Sequence, residues 1–125
     1  MIHPLKTLWQ SATSAILSAL FLLTAFNAFA QDSIAMKVAS YNVRYDNQGD
    51  RDKGNAWEHR LPVITSLIQY NAFDIVGCQE VLAHQFEDLK QQLPEYTFIG
   101  VGRDDGKLAG EFAPIVFKSD RFTLL

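Results

Sequence analysis

Apolar and polar positions alternate through residues 36–43 (MKVASYNV), with Val38, Ser40 and Asn42 on one face and Lys37, Ala39, Tyr41 and Val43 on the other. That period of two predicts a strand. Residues 46–55 (DNQGDRDKGN) are charged and contain glycine, which predicts a loop. Trp57, Leu61, Ile64 and Ile68 then recur at helical spacing, with Leu67 alongside, and define one apolar face. Asn55 and Glu58 have the spacing of a capping pair. Pro62 lacks an amide donor, so it predicts either an irregular first turn or a regular helix starting near it.

A short apolar run follows at residues 73–79 (FDIVGCQ), as expected of a strand buried on both faces. Residues 83–93 form a second helical pattern, with Phe86, Leu89 and Leu93 on its apolar face and Pro94 as its stop. Residues 96–101 read as a strand and 102–110 (GRDDGKLAG) as a flexible loop. Residues 112–118 and 121–125 read as two more strands joined by a Ser119-Asp120 turn. The expected order is β-α-β-α-β-β-β, an α/β arrangement with helices covering a sheet.

Parallel strands joined through a helix place their carboxyl ends at one edge, where sites form in such sheets. Asn42 ends the first strand and Glu80 follows the second. A carboxylate there can hold a hard cation such as Mg²⁺ through oxygen. A neutral amide beside it can orient a phosphate oxygen or an attacking water without adding negative charge. Arg44, two residues after Asn42, falls on the same side and can fork onto a phosphate. Glu80 also has a simpler reading, as a carboxylate favoured by the dipole of the helix that follows it.

The first 30 residues carry a different pattern. Lys6 is followed by an apolar stretch at 15–26 and an Ala28-Phe29-Ala30 site, the layout of a secretory signal peptide. The stretch is shorter than the roughly 20 residues that cross a bilayer, so residues 1–30 are expected to be a cleaved signal rather than a stable membrane span. The product would be exported, to the periplasm or outside the cell. Lys6 is the only charged residue there, so its removal makes the formal charge of −3 one unit more negative. An acidic domain has no global field to gather nucleic acid, which is therefore a disfavoured partner. The one cysteine, Cys78, sits in an apolar run and reads as a core residue.

Ser40-Tyr41-Asn42-Val43-Arg44, Asn55-Ala56-Trp57-Glu58-His59-Arg60 and Asp74-Ile75-Val76-Gly77-Cys78-Gln79-Glu80-Val81 together resemble the opening motifs of the endonuclease/exonuclease/phosphatase superfamily (deoxyribonuclease I-like). The runs 100–106 and 110–115 are similar to its exported bacterial members. The resemblance covers residues 36–125. It implies the first half of a four-layer α/β sandwich, with two facing β-sheets and outer helices. It also implies a Mg²⁺-dependent phosphoesterase, with Mn²⁺ as an alternative ion and a phosphate ester of unspecified class as substrate.

By that resemblance Glu80 is the metal ligand and Asn42 positions phosphate and nucleophile as a catalytic residue. Arg44 matches a position that contacts phosphate in some members and is acidic in others. Arg103 is a candidate phosphate contact and Glu111 a candidate cleft residue; with Asp105, both read equally well as solvated loop residues. His59, His84 and Trp57 read as structural. The family's later motifs (a histidine on a central strand, Gly-Asp-x-Asn and Ser-Asp-His) do not occur. Residues 31–125 are thus expected to be the N-terminal part of such a domain, apparently truncated, and inactive alone. The alternative is a non-catalytic exported α/β binding domain in which Asn42 and Glu80 are structural caps.

Overall fold

The computed structural model describes residues 35–125, so the expected signal segment lies outside the described residues. The elements are β1 (Val38–Asn42), α1 (Gln48–Arg51), α2 (Trp57–Asn71), β2 (Ile75–Gln79), α3 (Ala83–Gln92), β3 (Tyr96–Ile99) and β4 (Ile115–Lys118). The fold is α/β. One four-stranded mixed sheet runs in the order β1-β2-β4-β3. β1 and β2 pair in parallel, with Asn42 opposite Gln79, while β4 is antiparallel to both β2 and β3.

The alternation in the sequence decides which face is covered. Ala39 and Tyr41 of β1, Val76 and Cys78 of β2, Val116 of β4 and Tyr96 and Phe98 of β3 meet Trp57, Leu61, Ile64 and Ile68 of α2 and Phe86 and Leu89 of α3 in one core. Phe86 stacks on Phe112 and meets Phe98 edge-on. Burying each such side chain stabilises by roughly 1.5–3 kcal/mol before the entropy of ordering it. The opposite sheet face carries Val38, Ser40, Asn42, Ile75, Gly77, Gln79 and Ile115, none of them buried, and Phe117, which is buried there against Phe122. β2 is therefore covered fully on one face only, where burial on both had been expected. Its small residues and its central place in the sheet made its apolar run continuous.

Other expectations change as well. The 46–55 segment contains the one-turn helix α1, whose N-cap Asn47 accepts the Asp50 amide. Asn55 does not cap α2. Ala56 occupies that position without a side-chain bond, and Glu58 pairs with Arg51 instead. α2 runs through Pro62. Both Pro62 and Glu58 are exposed, so the carbonyl that loses its helical donor lies on the solvent side. Leu67 is also exposed. Residues 121–125 form no strand. The Arg121 and Phe122 amides bond back to the Lys118 carbonyl, and Phe122 packs edge-on against Phe117. Among the described residues no helix is long and apolar enough to cross a membrane.

At the amino edge of β2, buried Asp74 gathers the chain. Its carboxylate accepts the Lys37 amide at 2.8 Å and meets Arg121 Nη1 and Lys118 Nζ. The Lys37 amide bond, together with these two cations, holds the Asp74 carboxyl below the usual range despite its burial. A depressed carboxyl stabilises the fold above its unfolded pKa of about 3.9, and that contribution fades as pH falls through the folded value. Thermal melts across acid pH should therefore show wild type losing stability on acidification more steeply than Asp74→Asn. Parallel acid limbs would count against this role.

Candidate functional site

The parallel register puts the ends of β1 and β2 side by side. Asn42 Nδ2 donates to Glu80 Oε1 at 2.7 Å, and Asn42 Oδ1 accepts the Arg44 amide at 2.8 Å. Both halves of the amide are thus committed, one to the carboxylate and one to the backbone. Gln79, opposite Asn42, folds its side chain back onto the Gly77 carbonyl and the Ser40 hydroxyl.

Each strand leaves the sheet through a left-handed residue that is not glycine: Arg44 at φ 61° and Glu80 at φ 57°. Such conformations are uncommon and persist where neighbouring contacts over-determine them. Arg60 supplies some of those contacts after β1. Its Nη1 donates to the carbonyls of Val43 and Arg44 at 2.6 and 2.9 Å, its Nε to that of Asn55, and its guanidinium lies over the Trp57 ring. Trp57 in turn donates to Asp88 at 2.8 Å.

The turn redirects Arg44. Strand alternation would have kept its side chain on the Asn42 side, but the guanidinium instead forks onto buried Asp50 through Nε and Nη2. This contact outweighs burial and holds the Asp50 carboxyl down at about 2. Arg44 and Asn42 both line a second cavity of about 410 Å³, with Arg60 and His59 on its wall.

The segment 100–113 closes the other side of the site. Phe112 bridges both Val81 and Gly102, which fixes the segment beside Glu80. Asn42, Gln79, Glu80, Arg103, Glu111 and Phe112 together line a cavity of about 530 Å³. Arg103 Nη1 pairs with Glu111 Oε2 at 3.0 Å and its Nε lies 3.4 Å from Asp104. Four of the five sequence candidates therefore share one cavity, and the Arg44 guanidinium is engaged elsewhere.

The loop expected to be flexible is bonded to itself. Gly102 donates to Lys107, Asp104 to Ala109 and Gly106 to Gly102. Asp105 accepts the Lys107 and Ala109 amides, bonds that hold its carboxyl below the usual range and assign it to the loop's own architecture.

His59 and His84 are each tied to a neighbouring loop. His59 contacts the Gly54 carbonyl and His84 contacts Asp46. Burial raises the Asp46 carboxyl, but Arg51 and His84 outweigh it and leave the net shift downward. Burial pushes the Cys78 thiol up to about 11, in keeping with its place in the core. Residues missed from the sequence are Asp50, Arg60 and Gln85. A glutamine at the third position of α3 is a capping signal and could have flagged Gln85. The ties of Asp50 and Arg60 run through a short helix and a turn that the pattern does not mark.

Among solved structures, the chain is similar to an endonuclease/exonuclease/phosphatase family protein from Bacteroides thetaiotaomicron, at 48% identity and a TM-score of 0.71, over 72% of this chain and 33% of that one. It is 47% identical to a mannosyl-6-phosphatase of the same organism, at a TM-score of 0.71 over 73% of this chain and 34% of that one. For an endonuclease/exonuclease/phosphatase from Bacteroides vulgatus the figures are 46% and 0.70, over 74% and 35%. The chain thus spans about a third of the length of these structures. No protein-family model and no curated protein matches it.

The cavity wall depends on a close approach at Gly102, where a Cβ would meet the Ala109 carbonyl oxygen within 2.3 Å and its amide nitrogen within 2.8 Å. These are backbone atoms, so the loop itself must shift. Gly102→Ala is expected to cost about 1–3 kcal/mol in chemical denaturation and to move the amide signals of Arg103 and Glu111. An unchanged midpoint with unmoved signals would show that the loop is not held this tightly.

Proposed function

The chain belongs to the endonuclease/exonuclease/phosphatase superfamily, and from that membership we propose that it carries the first part of the active site of an exported, metal-dependent phosphoesterase. The observation that supports this most is the meeting of Asn42 and Glu80 at the carboxyl edge of the parallel pair, on the wall of an open cavity. The sugar phosphatase among its relatives favours a sugar phosphomonoester as substrate class. The segment grammar of residues 1–30 supports export.

Glu80 fits a hard cation. One of its oxygens accepts a hydrogen bond from the Asn42 amide, and a carboxylate offers about four lone-pair sites, so acceptor capacity remains. Mg²⁺ is commonly held by one or two carboxylates, with water and substrate phosphate completing the shell. Among the described residues no three His, Cys, Asp or Glu side chains stand together. Glu80 would be the protein ligand, with Glu111 on the same cavity. When bound, Mg²⁺ or Mn²⁺ would polarise the phosphoryl oxygen and lower the pKa of a nearby water.

The protein's own groups would do the rest. Asn42, held by Glu80 and the Arg44 amide, presents a fixed neutral dipole to phosphate. Arg103 can turn from Glu111 onto a phosphate oxygen, since this exposed pair is held weakly. Arg44 reaches phosphate only by leaving Asp50. Hydrolysis also needs a general base to take a proton from the attacking water, and neither the histidines nor the cysteine described above fill that role.

Isothermal titration of the chain with Mn²⁺ should show weak binding that Glu80→Gln abolishes. Binding that survives in Glu80→Gln, or no binding in wild type, would favour a non-catalytic domain. The chain alone is expected to turn over generic phosphate esters negligibly. A magnesium-dependent, chelator-sensitive hydrolysis lost in Glu80→Ala would overturn that expectation.

A further inference from the structure

Gln85 is the largest polar side chain in the core and has no solvent exposure. It makes three hydrogen bonds, each 3.1 Å long. Nε2 donates to the Arg44 carbonyl, and Oε1 accepts the amides of both Asp46 and Leu82. The first two ties reach back to the exit of β1, and the third lies at the exit of β2. One buried amide therefore joins the two turns whose left-handed residues are Arg44 and Glu80. The Arg44 amide orients Asn42, and Asn42 holds Glu80.

We propose that Gln85 is the positioning residue of the site, setting the Asn42–Glu80 geometry by locking the exit of β1 to the exit of β2. This rests on the reading of Asn42 and Glu80 as phosphate and metal residues. A plain helix cap would need only the Leu82 bond. The two bonds to Arg44 and Asp46 have no part in capping, and they fall on the turn that orients Asn42.

Gln85→Glu separates the two roles. An introduced carboxylate still accepts from Leu82 and Asp46, and its charge suits a helix N-terminus. It cannot donate to the Arg44 carbonyl until it is protonated, and burial raises the pH at which that happens. The probe is the ¹H–¹⁵N spectrum of the 125-residue chain, read at the Asn42 side-chain amide and the Arg44 backbone amide. At neutral pH both signals should move away from their wild-type positions. Both should return together as pH falls, along one titration that wild type lacks, while the Leu82 amide stays. Asn42 and Arg44 signals that match wild type at every pH would overturn the proposal and leave Gln85 as a cap.

If Gln85→Glu does not fold at neutral pH, Gln85→Met removes all three bonds without adding charge. Its Asn42 and Arg44 signals should be displaced at all pH values, and wild-type positions would again overturn the proposal. The Mn²⁺ dissociation constant of a folded variant at neutral pH should rise about tenfold or more over wild type, as for other groups that orient a metal ligand. Failure of wild type to bind Mn²⁺ would sink the metal reading of Glu80. The signals at Asn42 and Arg44 would still judge Gln85, because they report the metal-free geometry.

Discussion

The parallel pairing of β1 with β2 is the constraint on which the rest depends. It sets Asn42 opposite Gln79 and so puts Glu80, one residue on, within hydrogen-bond reach of the Asn42 amide. A slip of one residue would turn Val38, Ser40 and Asn42 toward the helices and the apolar residues toward the open face. The core therefore enforces the register through Val76, Cys78 and Tyr41, and the site inherits it. At the other end of β2, Asp74 ties the Lys37 amide to Lys118 and Arg121, which fixes where the pair begins.

Buried carboxylates and amides do the positioning because apolar contacts are tolerant of rotation and hydrogen bonds are not. Asp50, Asp74 and Gln85 are each buried and each holds at least two partners. An unpaired buried group of this kind would be costly, so each stabilises one loop path and penalises the others. Asp50 keeps Arg44 against α1, and Gln85 keeps the same residue's carbonyl against α3. Arg60 holds that carbonyl from α2. Three helices thus converge on one residue of the β1 exit.

What could be read in advance follows from that division. Strand and helix faces are set by burial of apolar side chains, and period-two and helical spacing report burial directly. The ends of β1 and β2, and Glu80 beyond the second, were legible for that reason, as were the core roles of Trp57 and Cys78. The α1 turn was not, because it is held by Asn47 and Asp50, two polar residues in a run that looks like solvated loop. The 102–110 loop hid its order in backbone hydrogen bonds and in one aspartate, Asp105, that reads as solvated among charged neighbours. The path of residues 121–125 was misread because apolar residues pack onto a sheet face as readily as they pair along its edge. The rotation of Arg44 onto Asp50 was invisible for a further reason: the period of two stops where the backbone turns left-handed.

That turn gives the site its character. A left-handed non-glycine residue costs roughly 1–2 kcal/mol against the right-handed alternative, and two of them occur within one hydrogen-bonded cluster. An extended Arg44 would carry its carbonyl away from Gln85 and Arg60, and the residue whose amide orients Asn42 would lose both of those ties. The left-handed step turns the chain just after that amide and brings the Arg44 carbonyl to Gln85 and Arg60. Its cost is offset by bonds from Gln85 and Arg60 to the same carbonyl, and neither residue lines the cavity that Asn42 shares with Glu80. The geometry facing that cavity is therefore set from behind it, by buried Gln85 and by Arg60 on the wall of the neighbouring cavity. The backbone that carries Glu80 and Asn42 is thus held by bonds other than the one between their side chains.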